Sequence, residues 1–351
     1  MGVFQHGGGA MFSKVTPIGI LQTHSRTLLS LLPRVQDGDV ETVHAARVVS
    51  RRIREVVPLT HEWYRRDTVT DLEDRFRRIG RSLGRVRDAD ARIALMAYLE
   101  TRIPSAAPSL VVLGHERERE RLELMRKLIK RFERLDVERL LGDMAAGRPR
   151  PIRPWTRIAG GWRERLRRTL AERARAAGES VHRATGIYFP NRSHRTRIAV
   201  KKFRYAVEIA GATGVGPAAG DALRQLKKTQ DVLGDLHDRQ VLVDELPKEA
   251  IPHSAEVDAD QIRLVVQIVE AECRDLHARY LHRRPELLQI CSRTERAFAE
   301  RRMSIAPIAT AIAFSSAVYL WRRASTGGLE KTRERDVSVR IPIPGTAPIG
   351  R

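Results

Sequence analysis

Residues 43–55 read VHAARVVSRRIRE, and residues 193–205 read SHRTRIAVKKFRY. Shifting the chain by 150 positions without a gap places His44 on His194, Arg47 on Arg197, Arg51 and Arg52 on Lys201 and Lys202, and Arg54 on Arg204. The same shift puts Leu83-Gly84 on Leu233-Gly234, Asp88 on Asp238 and Arg78 on Lys228. One matched cluster could be chance, but two in a single register, about forty residues apart, point to a unit of structure present twice.

That unit is helical. GILQTHSRTLLSLL (19–32) carries leucines at helical spacing and is expected to stop at Pro33. EDRFRRIGRSLGRV (73–86) places Phe76, Ile79, Leu83 and Val86 at i, i+3, i+7 and i+10, which should turn all four to a core. RERERLELMRKLIKRFERL (117–135) and DQIRLVVQIVEAECRDLHARYL (260–281) read as further long helices, and almost nothing alternates with a period of two. The expected fold class is all-α. GRPRPIRPWTRIAGGW (147–162), rich in proline and glycine, reads as the connection between a first half at about 14–146 and a second at about 163–302, and ELPKEAIPHSAEVDAD (245–260) as another break.

At about 100° per residue, His44, Arg47, Arg51 and Arg54 fall within an arc of roughly 80°, with Val49, Ile53 and Val56 on the opposite side. In the second copy His194, Arg197, Lys201 and Arg204 take the same arc, and Ala199, Phe203 and Ala206 the apolar one. A solvated helix face normally mixes signs, because acids and bases at i, i+4 gain from pairing. This stripe contains no acid, so its charges repel unless a polyanion or carboxylates from a neighbouring helix stand opposite. Cations spaced about every 5 Å along a helix suit a linear chain of phosphates. Arginine can fork two donors onto phosphate oxygens, lysine acts as a point charge, and a histidine adds a neutral donor or, at lower pH, a cation. If the two basic helices face each other, the stripes line one groove. Asp88 and Asp238 are expected to orient an arginine of the stripe or cap backbone. The halves are not equivalent, since Arg81 and Arg85 stand opposite Asp231 and Asp235, and the first half, with arginines where the second has lysines, is expected to hold phosphate more tightly.

Charge supports an anionic partner: 64 Lys and Arg against 43 Asp and Glu leave +21, a surplus that repels itself unless something anionic binds. Nucleic acid, an anionic membrane surface and a polyanionic metabolite all satisfy that balance. The two cysteines, Cys273 and Cys291, lack metal or redox spacing and read as inert thiols in a reducing compartment. MGVFQHGGGAMF has no secretory signal pattern, so residues 1–13 read as a flexible extension, the start being Met1 or Met11, and the expected location is cytoplasmic.

On VHAARVVSRRIRE followed by LGRVRDAD, and SHRTRIAVKKFRYAVE followed by LKKTQDVLGDLHD, the chain resembles the CHAD family, the conserved histidine α-helical domains, over about residues 14–302. The resemblance implies two helical bundles related by a pseudo-twofold axis whose basic surfaces bind inorganic polyphosphate. Carried over by position, the site is His44, Arg47, Arg51, Arg52, Arg54, His194, Arg197, Lys201, Lys202 and Arg204, extended by the matched pair Arg78 and Lys228. Some relatives carry a phosphohydrolase-like domain before the helices. Only about thirteen residues precede them here, and the expectation is a binding protein without catalysis, cofactor or metal, possible at polyphosphate granules or as an accessory to a polyphosphate-metabolising enzyme.

Rival readings are weaker. No phosphate loop ends in Lys-Ser or Lys-Thr, no His-Glu-x-x-His occurs, and GVGPAAG (214–220) follows no strand. Nucleic acid remains the main alternative ligand, although aromatics make up 5% of residues and only Tyr205 adjoins a stripe for base stacking. SIAPIATAIAFSSAVYLW (304–321) is uncharged and eighteen residues long, open to membrane anchoring, docking on the bundle or partner binding; GGLEKTRERDVSVRIPIPGTAPIGR (327–351) reads as a flexible tail.

Overall fold

The structure, a computed structural model, describes residues 15–148, 161–216, 220–253 and 255–326, with side chains through residue 298. Every regular element among these is helical, as the sequence pattern requires: α1 (Pro17–Gln36), α2 (Val40–Val56), α3 (Arg66–Arg102), α4 (Ala107–Arg134), α5 (Val137–Ala145), α6 (Gly161–Arg183), α7 (Pro190–Thr213), α8 (Gly220–Ala250) and α9 (Ala259–Thr326), with short 3-10 turns at Val57–Leu59, Pro104–Ala106 and Ile251–His253. Residues to Ala299 form one unit, and Glu300 onward a second. The apolar run 304–321 lies outside the residues whose side chains are described; among the described residues no helix is long and apolar enough to cross a membrane. Most of the expected connection at 147–162 also lies outside them.

Helix starts follow local chemistry. Thr16 caps α1, accepting from the Gly19 N–H at 3.3 Å, and Pro17 supplies a first residue that needs no donor. The α1–α2 turn passes through Gly38 at φ +79, a left-handed conformation that a side chain would resist. Asp39 then caps α2, accepting from the Thr42 N–H at 2.7 Å. Helices α2 and α7 begin 150 positions apart, the offset of the sequence pattern.

The apolar faces are where periodicity puts them. Phe76, Ile79, Leu83 and Val86 of α3 are all fully buried, as are Ile53 and Val56 of α2, while Val49 is nearly so. On α7, Phe203 and Ala206 are buried and Ala199 is half-buried. Each such large side chain contributes about 1.5–3 kcal/mol through burial. The main core runs through α1–α3, α5–α7 and parts of α4, α8 and α9. A second core, including Met96, Leu99, Leu110, Leu246 and Val265, packs the far ends of α3 and α8 against the starts of α4 and α9. It is pinned by Arg92–Glu245 at 3.2 Å and by an Arg117–Glu249 ion pair.

Two proline expectations are corrected. Helix α1 continues through Pro33 to Gln36, and α8 passes Pro247 to reach Ala250, so the second break narrows to residues 251–258. Each proline removes one helical hydrogen bond near a helix end. Burial of Leu32 and Val35 in α1, and of Leu246 in α8, offsets that loss.

Candidate functional site

Helices α2 and α7 are in contact, flanked by α3 beside α2 and α8 beside α7, and Lys201 of α7 lies close to Arg47, Arg51 and Arg54 of α2. The Arg51 guanidinium of α2 donates to the Tyr205 hydroxyl of α7 at 3.4 Å and lies 5.9 Å from its ring centroid. Two arginines of α2 pack over glycines of α3, at a spacing that would still admit a methyl group. Arg54 lies against Gly80 and Arg47 against Gly84, each with a guanidinium nitrogen 3.6 Å from where a Cβ would stand.

The acids near the cluster come from neighbouring helices and, in Glu208, from α7 itself. Arg47, largely buried, pairs with Asp88 of α3 at 3.3 Å. Arg87 of α3 pairs with the same Asp88 at 3.7 Å and with Asp238 of α8 at 3.3 Å. Asp88 thus meets an arginine of the stripe, whereas Asp238 bridges α8 to α3. Glu208 of α7 takes Arg52 of α2 at 3.5 Å and also Arg204, whose Nε donates to Gln230 at 2.8 Å and whose guanidinium stacks 4.5 Å over Tyr205.

The twelve expected cationic positions therefore separate. Arg47, Arg51, Arg54, Arg197 and Lys201 come together, and among the described residues Arg51, Arg54, Arg197 and Lys201 make no ion pair. His44 and His194 stand at the same end of the stripes, His44 near Arg87 and Arg47, and His194 with its Nδ1 3.3 Å from that of His237. Arg52 turns away into a separate pocket with His24 and Glu208, and Arg204 is tied down by Glu208 and Gln230. Lys202 is exposed, its carbonyl accepting from Arg173 at 3.0 Å. Arg78 and Lys228 are exposed, and the α3 cations that press on Arg54 are instead Arg77 and Arg81.

Crowding is visible in the acid–base chemistry. Burial, reinforced by Arg51, Arg197, Arg47 and Arg54, pushes the Lys201 ammonium down to about 7. Arg47 is lowered to about 10 by burial, with Asp88 opposing and Arg51, Arg87 and Arg197 adding to the shift. Burial likewise lowers Arg197 and His194, and brings His237 to about 4 with help from Arg197 and His194. Lys201 is depressed first by burial and then by four guanidiniums, so it sits where the protein gathers positive charge away from water. Such a place can hold an extended anion; it offers guanidinium forks and an ammonium on one side and another.

Sequence reasoning missed Arg87, His237 and the acceptors Glu208 and Gln230. Arg87 and His237 occupy matched positions in the 150-residue register, one step before Asp88 and Asp238, so the register itself contained that signal.

Comparisons with known proteins agree on the fold. The structure resembles PptA from Streptomyces chartreusis, at 16% identity and a TM-score of 0.54, covering 79% of this chain and 98% of that one. It also resembles the CHAD domain from the plant Ricinus communis, at 22% identity and a TM-score of 0.53, covering 82% of this chain and 96% of that one. No curated protein matches the sequence. The family model for the CHAD domain matches residues 19–247, which include both basic helices and the two helices that flank them, and the chain belongs to the CHAD domain family.

Proposed function

We propose that this protein binds inorganic polyphosphate, without catalysis, in a groove lined by the basic faces of α2 and α7. The observation that carries this reading is the set Arg51, Arg54, Arg197 and Lys201, gathered from two helices without an ion pair among the described residues, where burial and the neighbouring guanidiniums together depress Lys201. Charge of one sign arrayed along two helices suits a ligand whose charge is also linear and repeated. Binding is electrostatic and weakens steeply with added salt.

Nucleic acid would offer phosphates too, but would draw affinity from base stacking. Tyr205, the aromatic beside the stripe, is 2% exposed and has its ring covered by Arg51 and Arg204, which leaves it no free face for a base. Competition tests the choice. At matched salt, long-chain polyphosphate displaces bound RNA or DNA and is not displaced by equal phosphate concentrations of either; the reverse order contradicts the reading. Recovered polyphosphate keeps its chain length after incubation, and release of phosphate would contradict the non-catalytic part. The same binding would recruit the protein to polyphosphate granules, which a fluorescent fusion imaged in cells with and without polyphosphate would reveal.

A further inference from the structure

A second group of cations gathers at the corner between α6 and α7. A cavity of about 760 Å³ there is lined by Ser180, His182, Arg183, Thr185, Arg192 and Arg195, with no carboxylate among them. Arg192 and Arg195 lie roughly 100–160° around α7 from His194, so the corner faces away from the basic stripe. Arg192 is fixed at the rim: its guanidinium stacks 4.5 Å over Phe189 and donates to the Arg183 carbonyl at 3.4 Å. Among the described residues the Arg183 side chain pairs with the exposed Glu179 alone, at 3.7 Å. Arg195 is exposed and makes no ion pair or hydrogen bond among the described residues. The floor is polar, with the Ser180 and Thr196 hydroxyls 3.1 Å apart.

The matching positions between α1 and α2 do not carry these cations. Arg192 and Arg195 of α7 stand opposite Thr42 and Ala45 of α2, and at the end of α6, which stops at Arg183 as α1 stops at Gln36, His182 and Arg183 stand opposite Val35 and Gln36, none of them ionisable. Asp39, the carboxylate that caps α2, stands opposite Phe189, which gives α7 no side-chain cap. The first half therefore provides an anion at this turn from its own chain, whereas the second provides cations around a cavity.

We propose that the α6–α7 corner is a second anion site, separate from the groove, that takes a phosphate group through Arg183 and Arg195 with Thr185 and His182 at its edge. A guanidinium can fork onto two phosphate oxygens, and the threonine hydroxyl can donate to a third. Ile187, 78% exposed, and Phe189, 44% exposed, lie on the same turn, so the phosphate could be free or borne on a lipid.

The test uses the full chain with the groove weakened by Arg51→Ala and Lys201→Ala. Titration calorimetry with pyrophosphate reads the free source, and co-sedimentation with vesicles of phosphatidic acid in phosphatidylcholine reads the lipid source. Arg183→Ser with Arg195→Ser, both exposed side chains, should weaken binding of at least one probe about tenfold or more, as expected for lost charge-assisted hydrogen bonds. Loss of vesicle binding alone, shared by Ile187→Ser, assigns the phosphate to a lipid headgroup; loss of pyrophosphate binding, unaffected by Ile187→Ser, assigns it to a free anion. Unchanged binding of both probes in the double-serine protein, with its helical circular dichroism intact, overturns the proposal. Long-chain polyphosphate binding by the same corner variant in an otherwise native chain reports on the groove separately, and the proposal expects it to persist.

Discussion

Arg87 of α3 reaches Asp238 of α8 at 3.3 Å, joining the two halves of the chain beside the cluster of like charges. Both side chains are about one-quarter exposed, so the pair contributes modestly, about 0.5–1 kcal/mol. Asp238→Asn should lower stability by that amount, read from the urea midpoint. Because Asp238 opposes the cations near it, including Arg197, its loss should leave polyphosphate affinity equal or tighter, by no more than about fivefold for one unit charge in water. Weaker binding would mean that Asp238 orients the ligand-holding arginines, the role read from sequence.

The matched arginines Arg54 and Arg204 should behave differently. Arg204 is 12% exposed and held by Glu208, Gln230 and Tyr205. Arg204→Ala should cost stability of about 1–2 kcal/mol, through half-buried acceptors left unpaired, with little change in polyphosphate affinity. Arg54 has no ion pair among the described residues and rests against Gly80; Arg54→Ala should weaken binding and leave the urea midpoint almost unmoved. Equal effects at the two positions would contradict the asymmetry.

Affinity should depend on pH through Lys201. Its folded value falls from 10.5 to about 7 because burial and four arginines disfavour the ammonium. Between those values the free protein holds Lys201 largely neutral, and a bound polyanion would draw a proton onto it. Polyphosphate affinity should therefore tighten as pH falls from about 10 towards 7, with proton uptake measurable at pH 8 by calorimetry in buffers of different ionisation enthalpy. The stability of the free protein runs the other way. The unfolded chain binds more protons across the same window, so this contribution to stability grows as pH rises from 7 to 10 and is fully lost below 7. Lys201→Arg should flatten the affinity profile, and a profile unchanged by that substitution would contradict the assignment.

Gly84 tests how closely α2 must approach α3. A Cβ there would lie 3.6 Å from the Arg47 Nε, an ordinary contact. Gly84→Ala should therefore keep binding and raise stability by about 0.5–1 kcal/mol, through reduced backbone freedom in the unfolded chain. Gly84→Leu places bulk where the Arg47 guanidinium lies, and should both destabilise the protein and weaken polyphosphate binding. Thermal melts and binding isotherms of the pair separate the two effects.

Sequence alone located what depends on period and register. Phe76, Ile79, Leu83 and Val86 are buried because four residues at helical spacing must share a face, and α2 and α7 begin 150 positions apart. What it could not locate depends on partners distant in the chain. Pro33 and Pro247 look like stops until the burial of Leu32, Val35 and Leu246 is known. Arg52 and Arg204 look equivalent to the rest of the stripe until Glu208 draws both aside. Arg78 matches Lys228 in the register, yet it is the neighbouring Arg77 and Arg81 that press on Arg54.

The central claim is that the cations shared by α2 and α7 hold polyphosphate. Its most direct test is polyphosphate retention by the full chain carrying Arg47→Glu, Arg51→Glu, Arg197→Glu and Lys201→Glu, measured beside its far-ultraviolet circular dichroism. Retention should be abolished while helical content is unchanged. Retention equal to that of the native protein, with the helices intact, would contradict it.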